Sequence, residues 1–129
     1  MRQMVAVSLL SQPSTTARLE GVSWSSQVQN PDQKTLQALF ETLNSDPNTN
    51  VRLAAVDALY LFRARPQVKE NLIQSLSRQT SPLVQVALID LLVEIRERRA
   101  ADALRLLIQN KKLNPAVKEH AELGLKQLI

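Results

Sequence analysis

The 129-residue sequence predicts an all-α fold, a solenoid of four helical hairpins. Segments recur along it at a spacing of about 33 residues, a period suited to helix–turn–helix units that bury one another's faces. Its six prolines fall between those segments, where a missing N–H costs least. Two glycines leave few left-handed turns for a hairpin-rich sandwich or barrel, and four aromatics leave the core to alanine, leucine and valine. The absence of cysteine removes disulfides, thiol catalysis and Cys-bearing zinc sites from consideration.

The first helix ends near Leu10, is short and has no capping residue ahead of it. Its Ala6-Val7-Ser8-Leu9-Leu10 matches Leu39-Phe40-Glu41-Thr42-Leu43 one repeat later and Leu72-Ile73-Gln74-Ser75-Leu76 after another. Ala103-Leu104-Arg105-Leu106-Leu107-Ile108 is a slipped fourth copy. A second, stronger set alternates with these. Val51-Arg52-Leu53-Ala54-Ala55-Val56-Asp57-Ala58-Leu59 realigns with the stretches that begin at Val84 and Val117, and Arg18 holds the place of Arg52 in the first repeat. Pro13, Pro47, Pro82 and Pro115 precede the strong segments; Pro31 and Pro66 open two of the weak ones. Asp46, Ser81 and Asn114 stand directly before proline, as N-cap and turn chemistry favours.

Within the second helices, Val51, Ala55, Ala58 and Phe62 recur as Val84, Leu88, Leu91 and Ile95. They recur once more as Val117, Ala121, Gly124 and Leu128, each set one stripe at i, i+4, i+7, i+11. Leu53 and Val56 lie off this stripe and return as Val86 and Ile89, so these helices are apolar on more than one face and suit stacking. The last copy has Glu119 and Glu122 there, with Lys126 nearby, a polar face fit to end a stack. The expected organisation is a single domain over 1–129, with repeats of approximately 1–30, 31–64, 65–98 and 99–129. Its blunt start leads to the expectation that the chain is the C-terminal part of a longer protein.

Charge narrows function only a little. The formal net charge is +4, with four basic and five acidic side chains in residues 1–60 and twelve and seven in 61–129. The longest apolar run, Leu83 to Ile95, is broken by Asp90 and Glu94, so no membrane span is expected, and Met1 to Leu10 lacks the pattern of a signal peptide. His120 is the only histidine and has no nucleophile or second ligand suggested beside it. Trp24 aligns with the stripe residues Ala58 and Leu91 and reads as core. Gly21 aligns with Ala55 and reads as a point of close approach to the helix backbone. Neither a phosphate loop nor a catalytic triad emerges, so no enzymatic activity, metal or cofactor is expected.

Repeated charges supply the candidate binding residues. Asp57 and Asp90 share one repeat position, and Glu94 and Glu97 extend the same side of the third repeat. Arg63 and Arg96 share another position, as do Arg65 and Arg98, with Arg99 beside them. Asp57, Asp90, Glu94, Arg63 and Arg96 are therefore the expected partner-facing residues. Simple solvation of exposed charge, with arginines favoured near helix C-termini, accounts for the same pattern without a partner.

The sequence from Val51 to Leu59, after a Pro-containing turn and in paired helices, resembles HEAT-repeat proteins over essentially the whole chain. That resemblance implies a right-handed α-solenoid, an α-α superhelix whose second helices line a concave face, here mildly acidic. The Asp46–Arg52 spacing is similar to the Asp/Arg ladder of that family, although Gln85 and Lys118 replace the arginine in the last two repeats. A narrower resemblance runs through Leu9-Leu10, Arg18 to Ser25 and Asp46 to Asp57. It points to the C-terminal region of bacterial putative zinc-finger, anti-sigma-factor-like membrane proteins. It implies a protein-binding or scaffold tail on the extracytoplasmic face of the inner membrane, with a zinc-binding part and one membrane span upstream of Met1. The alternatives are a cytoplasmic HEAT-repeat adaptor, or a nucleic-acid-binding protein using the basic repeat edge. HEAT-like glycosylases that bind duplexes would call for a basic, aromatic concave channel, and HEAT-like bilin lyases for a tetrapyrrole pocket. Neither is suggested here, so the expected partner is a protein, and nucleic acid is not.

Overall fold

The computed structural model describes residues 2–129, and those residues are all-helical: eight α-helices, one 3-10 turn and no strand. They form two compact units, one reaching to Val68 and the other Lys69–Ile129.

The first unit contains α1 (Arg2–Leu10), α2 (Thr15–Ser26), α3 (Gln33–Ser45) and α4 (Thr49–Tyr60). Short polar side chains start three of these helices by accepting orphan backbone N–H groups. Ser14 accepts from Ala17 N at 3.3 Å, Asp32 from Thr35 N at 2.8 Å, and Asn48 from Asn50 N and Val51 N at 2.9 and 3.3 Å. The cap of α4 is thus Asn48, while Asp46 closes α3. Bonds from the Thr35 backbone and hydroxyl hold the Asp32 carboxyl below its ordinary range.

Packing in this unit is two helices deep in each direction, α1 against α2 and α3, and α4 against α3 and α2. Leu39, Leu43, Val51, Ala55 and Leu59 are fully buried. Gly21 makes the α1–α2 contact close: a Cβ there would lie 2.8 Å from the Leu10 backbone nitrogen. Gln3 Oε1 accepts from Asp32 N at 2.6 Å and from the Thr35 hydroxyl at 2.9 Å, tying α1 to the start of α3.

One bonding pattern follows the repeat. Arg18 donates to the Gln12 carbonyl at 3.1 Å and Arg52 to the Asp46 carbonyl at 2.5 Å, each reaching back the same distance along the chain. In the second unit Gln85, at the same repeat position, donates to the Gln79 carbonyl at 2.9 Å. Each bond ties the start of a second helix to the turn that precedes it. The Asp46 carboxylate turns to the preceding repeat, accepting from Arg18 Nε at 2.7 Å and Nη2 at 3.4 Å.

The boundary between the units falls inside α5 (Pro66–Leu76), on which Val68, Leu72 and Leu76 are buried. The second unit continues with α6 (Pro82–Glu94), a 3-10 turn at Arg98–Ala100, α7 (Ala101–Gln109) and α8 (Pro115–Leu128). Pro82 and Pro115 are the first helical residues of α6 and α8, where their fixed φ is pre-organised. Asn114 caps α8 by accepting from Ala116 N at 2.8 Å, whereas Ser81 occupies the α6 cap position without a side-chain bond. Helix α8 packs against both α6 and α7. Its buried face is Val117, Ala121, Gly124 and Leu128, the stripe expected from sequence, and Glu119, Glu122 and Lys126 are exposed.

Two sequence expectations need correction. Trp24 is 40% exposed, because the turn of α2 that faces its neighbours is set by Gly21, Val22 and Ser25. Ile95 is half-buried, because α6 ends at Glu94 and the chain turns away there. That ending is a Schellman motif: Glu97 N bonds the Leu92 carbonyl and Arg96 N the Val93 carbonyl, each at 3.0 Å. Arg96 takes the left-handed position at φ 54°, where glycine is the usual residue.

Candidate functional site on the α6–α8 face

The five expected binding residues sit in different settings. Asp57 is exposed on α4, between the buried Val56 and Ala58. Arg63, just past α4, is committed locally: its guanidinium carbon lies 4.1 Å from the Tyr60 ring centroid and its Nη1 donates to the Tyr60 carbonyl at 3.0 Å. Asp90 and Glu94 lie one turn apart on the exposed side of α6, and Arg96 is exposed beyond its end. The structure brings Asp90 and Glu94 together in one cleft.

Other arginines of the expected basic edge are also engaged. Arg65 donates to the Pro31 carbonyl at 2.6 Å and to the Asn30 side-chain oxygen, fastening the turn after α4 to the loop before α3. Arg99 binds Glu97 Oε1 through Nε at 2.8 Å and reaches Glu70 at 3.4 Å. The Arg99 side-chain bonds, against some cost of burial, hold the Glu97 carboxyl below its ordinary value and raise the Arg99 pKa. Glu97 also accepts from Arg99 N at 3.2 Å, so it caps the 3-10 turn.

The cleft between α6 and α8 has a volume of about 370 Å³. Ile89, Val93 and Gly124 give it an apolar floor. Asp90 and Glu94 form its α6 rim, and His120, Leu123 and Gln127 its α8 rim. Gly124 permits the two helices to come this close, since a Cβ there would meet Val93 Cγ2 at 3.0 Å and Ile89 Cγ2 at 3.2 Å. His120 Nε2 lies 2.6 Å from Asp90 Oδ1. An ionised carboxylate only accepts, so the imidazole donates through Nε2. Side-chain exposures of 43% and 61% keep this pair in solvent, where such contacts contribute about 0–1 kcal/mol. Leu123 is 53% exposed at the rim.

The sequence places Asp90 and Glu94 together on one side of the third repeat and leaves His120 apart from them. Their spacing holds the signal: the separation of His120 from Asp90 is nearly one sequence repeat, and α8 packs beside α6. Among the described residues no group of three or more His, Cys, Asp and Glu side chains is gathered to hold a metal ion. No helix among them is long and apolar enough to cross a membrane. The sequence matches no protein-family model and no curated protein.

Proposed function

We propose that the chain is a HEAT-like module, a right-handed solenoid of four helical hairpins, that binds a protein partner and catalyses no reaction. The observation that carries this reading is the shared setting of Asp57 and Asp90. Both stand exposed at one repeat position between buried apolar neighbours, Val56 and Ala58 in one case and Ile89 and Leu91 in the other. Repetition of a charged, solvated position on a tightly packed helical frame is how repeat proteins present an extended binding face. The repeated carbonyl bonds of Arg18, Arg52 and Gln85 support the hairpin register. On the narrower resemblance, the module is the extracytoplasmic tail of a membrane-anchored anti-sigma-factor-like regulator. The nucleic-acid alternative is weakened because Arg63, Arg65 and Arg99 of the basic edge already serve local contacts.

The test is affinity capture on the chain and on Asp57→Lys/Asp90→Lys in parallel, followed by reconstitution with the purified captured protein. The expected result is a protein that binds the native chain and loses at least tenfold in affinity to the variant, whose thermal unfolding is unchanged. Equal affinity would remove these faces from the reading. Tight, salt-sensitive binding of duplex DNA at physiological ionic strength would favour the alternative.

A further inference from the structure

We propose that the α6–α8 cleft receives an aliphatic side chain of the partner, flanked in the partner's sequence by lysine or arginine. This rests on the protein-binding reading and names the chemistry of the segment bound. The floor of Ile89, Val93 and Gly124 offers apolar contact, and the half-exposed Leu123 extends it to the rim. Burying an aliphatic group against that surface returns the free energy that Leu123 leaves in water. A volume of about 370 Å³ lies near the small end of ligand sites, enough for one side chain and its adjoining backbone.

Charge selects the flanks. The lining includes two carboxylates, Asp90 and Glu94. They are spaced i, i+4 along one edge of α6, so a segment lying over the floor passes both. A cationic residue beside the inserted side chain is attracted at this edge, and an acidic one is repelled. His120 Nε2 meets Asp90 Oδ1 from the opposite wall at 2.6 Å.

The experiment titrates the ¹⁵N-labelled full chain with an acetylated, amidated pentapeptide of sequence Gly-Lys-Leu-Arg-Gly. Two control peptides carry glutamate at both basic positions or glycine in place of leucine. Saturable shifts confined to the amides around Asp90, Glu94, His120 and Leu123 are expected, with both controls at least tenfold weaker. Leu123→Ser and Glu94→Gln should each weaken the peptide at least threefold while leaving the rest of the spectrum in place. Shifts of equal size with the acidic control, shifts centred elsewhere, or none at millimolar peptide would overturn the proposal. Intact binding of the captured partner by Leu123→Ser would also overturn it while leaving the module reading in place. Failure to find any protein that binds the chain would instead overturn the module reading.

Discussion

Replacing Asp46 by alanine should cost about 3 kcal/mol of stability, far more than its place in a loop suggests. The Asp46 side chain is only 4% exposed and its partner Arg18 13%. The carboxylate takes two bonds from Arg18, at 2.7 and 3.4 Å, and a third from Asn48 N at 2.9 Å. Removing one member of a buried ion pair typically costs about 3–5 kcal/mol, because the other charge is stranded. Here Arg18 keeps the Gln12 and Pro13 carbonyls at 3.1 and 2.7 Å, which places the loss at the low end of that range. Arg18→Ala should cost roughly 2 kcal/mol, since Asp46 retains the Asn48 N–H. If the two act as one device, the double variant will cost little more than Asp46→Ala alone, a coupling on the order of 1.5–2 kcal/mol. Urea unfolding followed by far-UV circular dichroism at neutral pH reads all four proteins of the cycle. A cost below about 0.5 kcal/mol for Asp46→Ala, or a strictly additive cycle, would refute the reasoning.

Three further outcomes follow from local geometry. Arg96→Gly should stabilise by roughly 0.5–1 kcal/mol, the relief of a left-handed residue less the entropy glycine brings to the unfolded chain, and thermal unfolding reads it. Because the folded-state pKa of Glu97 is depressed, its stabilising contribution is complete above the ordinary glutamate pKa and disappears as pH falls through the lowered value. The stability gap between the native chain and Glu97→Gln should therefore be present at neutral pH and narrow as pH falls below the ordinary glutamate pKa; a gap unchanged by acid would contradict the Arg99 contact. Gly21→Ala should be less stable than Gly124→Ala by about 1 kcal/mol, because the first meets a backbone nitrogen at 2.8 Å and the second only methyl ends at 3.0 and 3.2 Å. Equal melting of the two variants would contradict it.

Helical periodicity made the core of the second helices legible. Val51, Ala55 and Ala58, then Val84, Leu88 and Leu91, then Val117, Ala121 and Leu128 are all buried, because the stripe at i, i+4, i+7, i+11 is fixed by the helix itself. Prolines located the helix starts for the same local reason. What escaped was set by segments distant in sequence. Trp24 shares a repeat position with buried residues, yet the orientation of α2 is decided by Gly21 against Leu10, and no spacing encodes that contact. Asp46 reads as a turn residue before proline and, by the family resemblance, as a ladder partner of Arg52; that its carboxylate answers Arg18, a full helix and loop earlier in the chain, was not read from the spacing. The acidic repeat position was visible as Asp57 and Asp90; that Asp90 would meet His120 over an apolar floor required α6 and α8 side by side. The basic edge was legible as arginines but not as the carbonyls and carboxylates that occupy Arg63, Arg65 and Arg99.

The most direct test of the protein-binding account is the calorimetric isotherm of the purified captured protein against the native chain and against Asp57→Lys/Asp90→Lys, at one salt concentration. Saturable binding is expected, weakening at least tenfold in the variant while its melting temperature stays unchanged. Identical isotherms for the two proteins would contradict it.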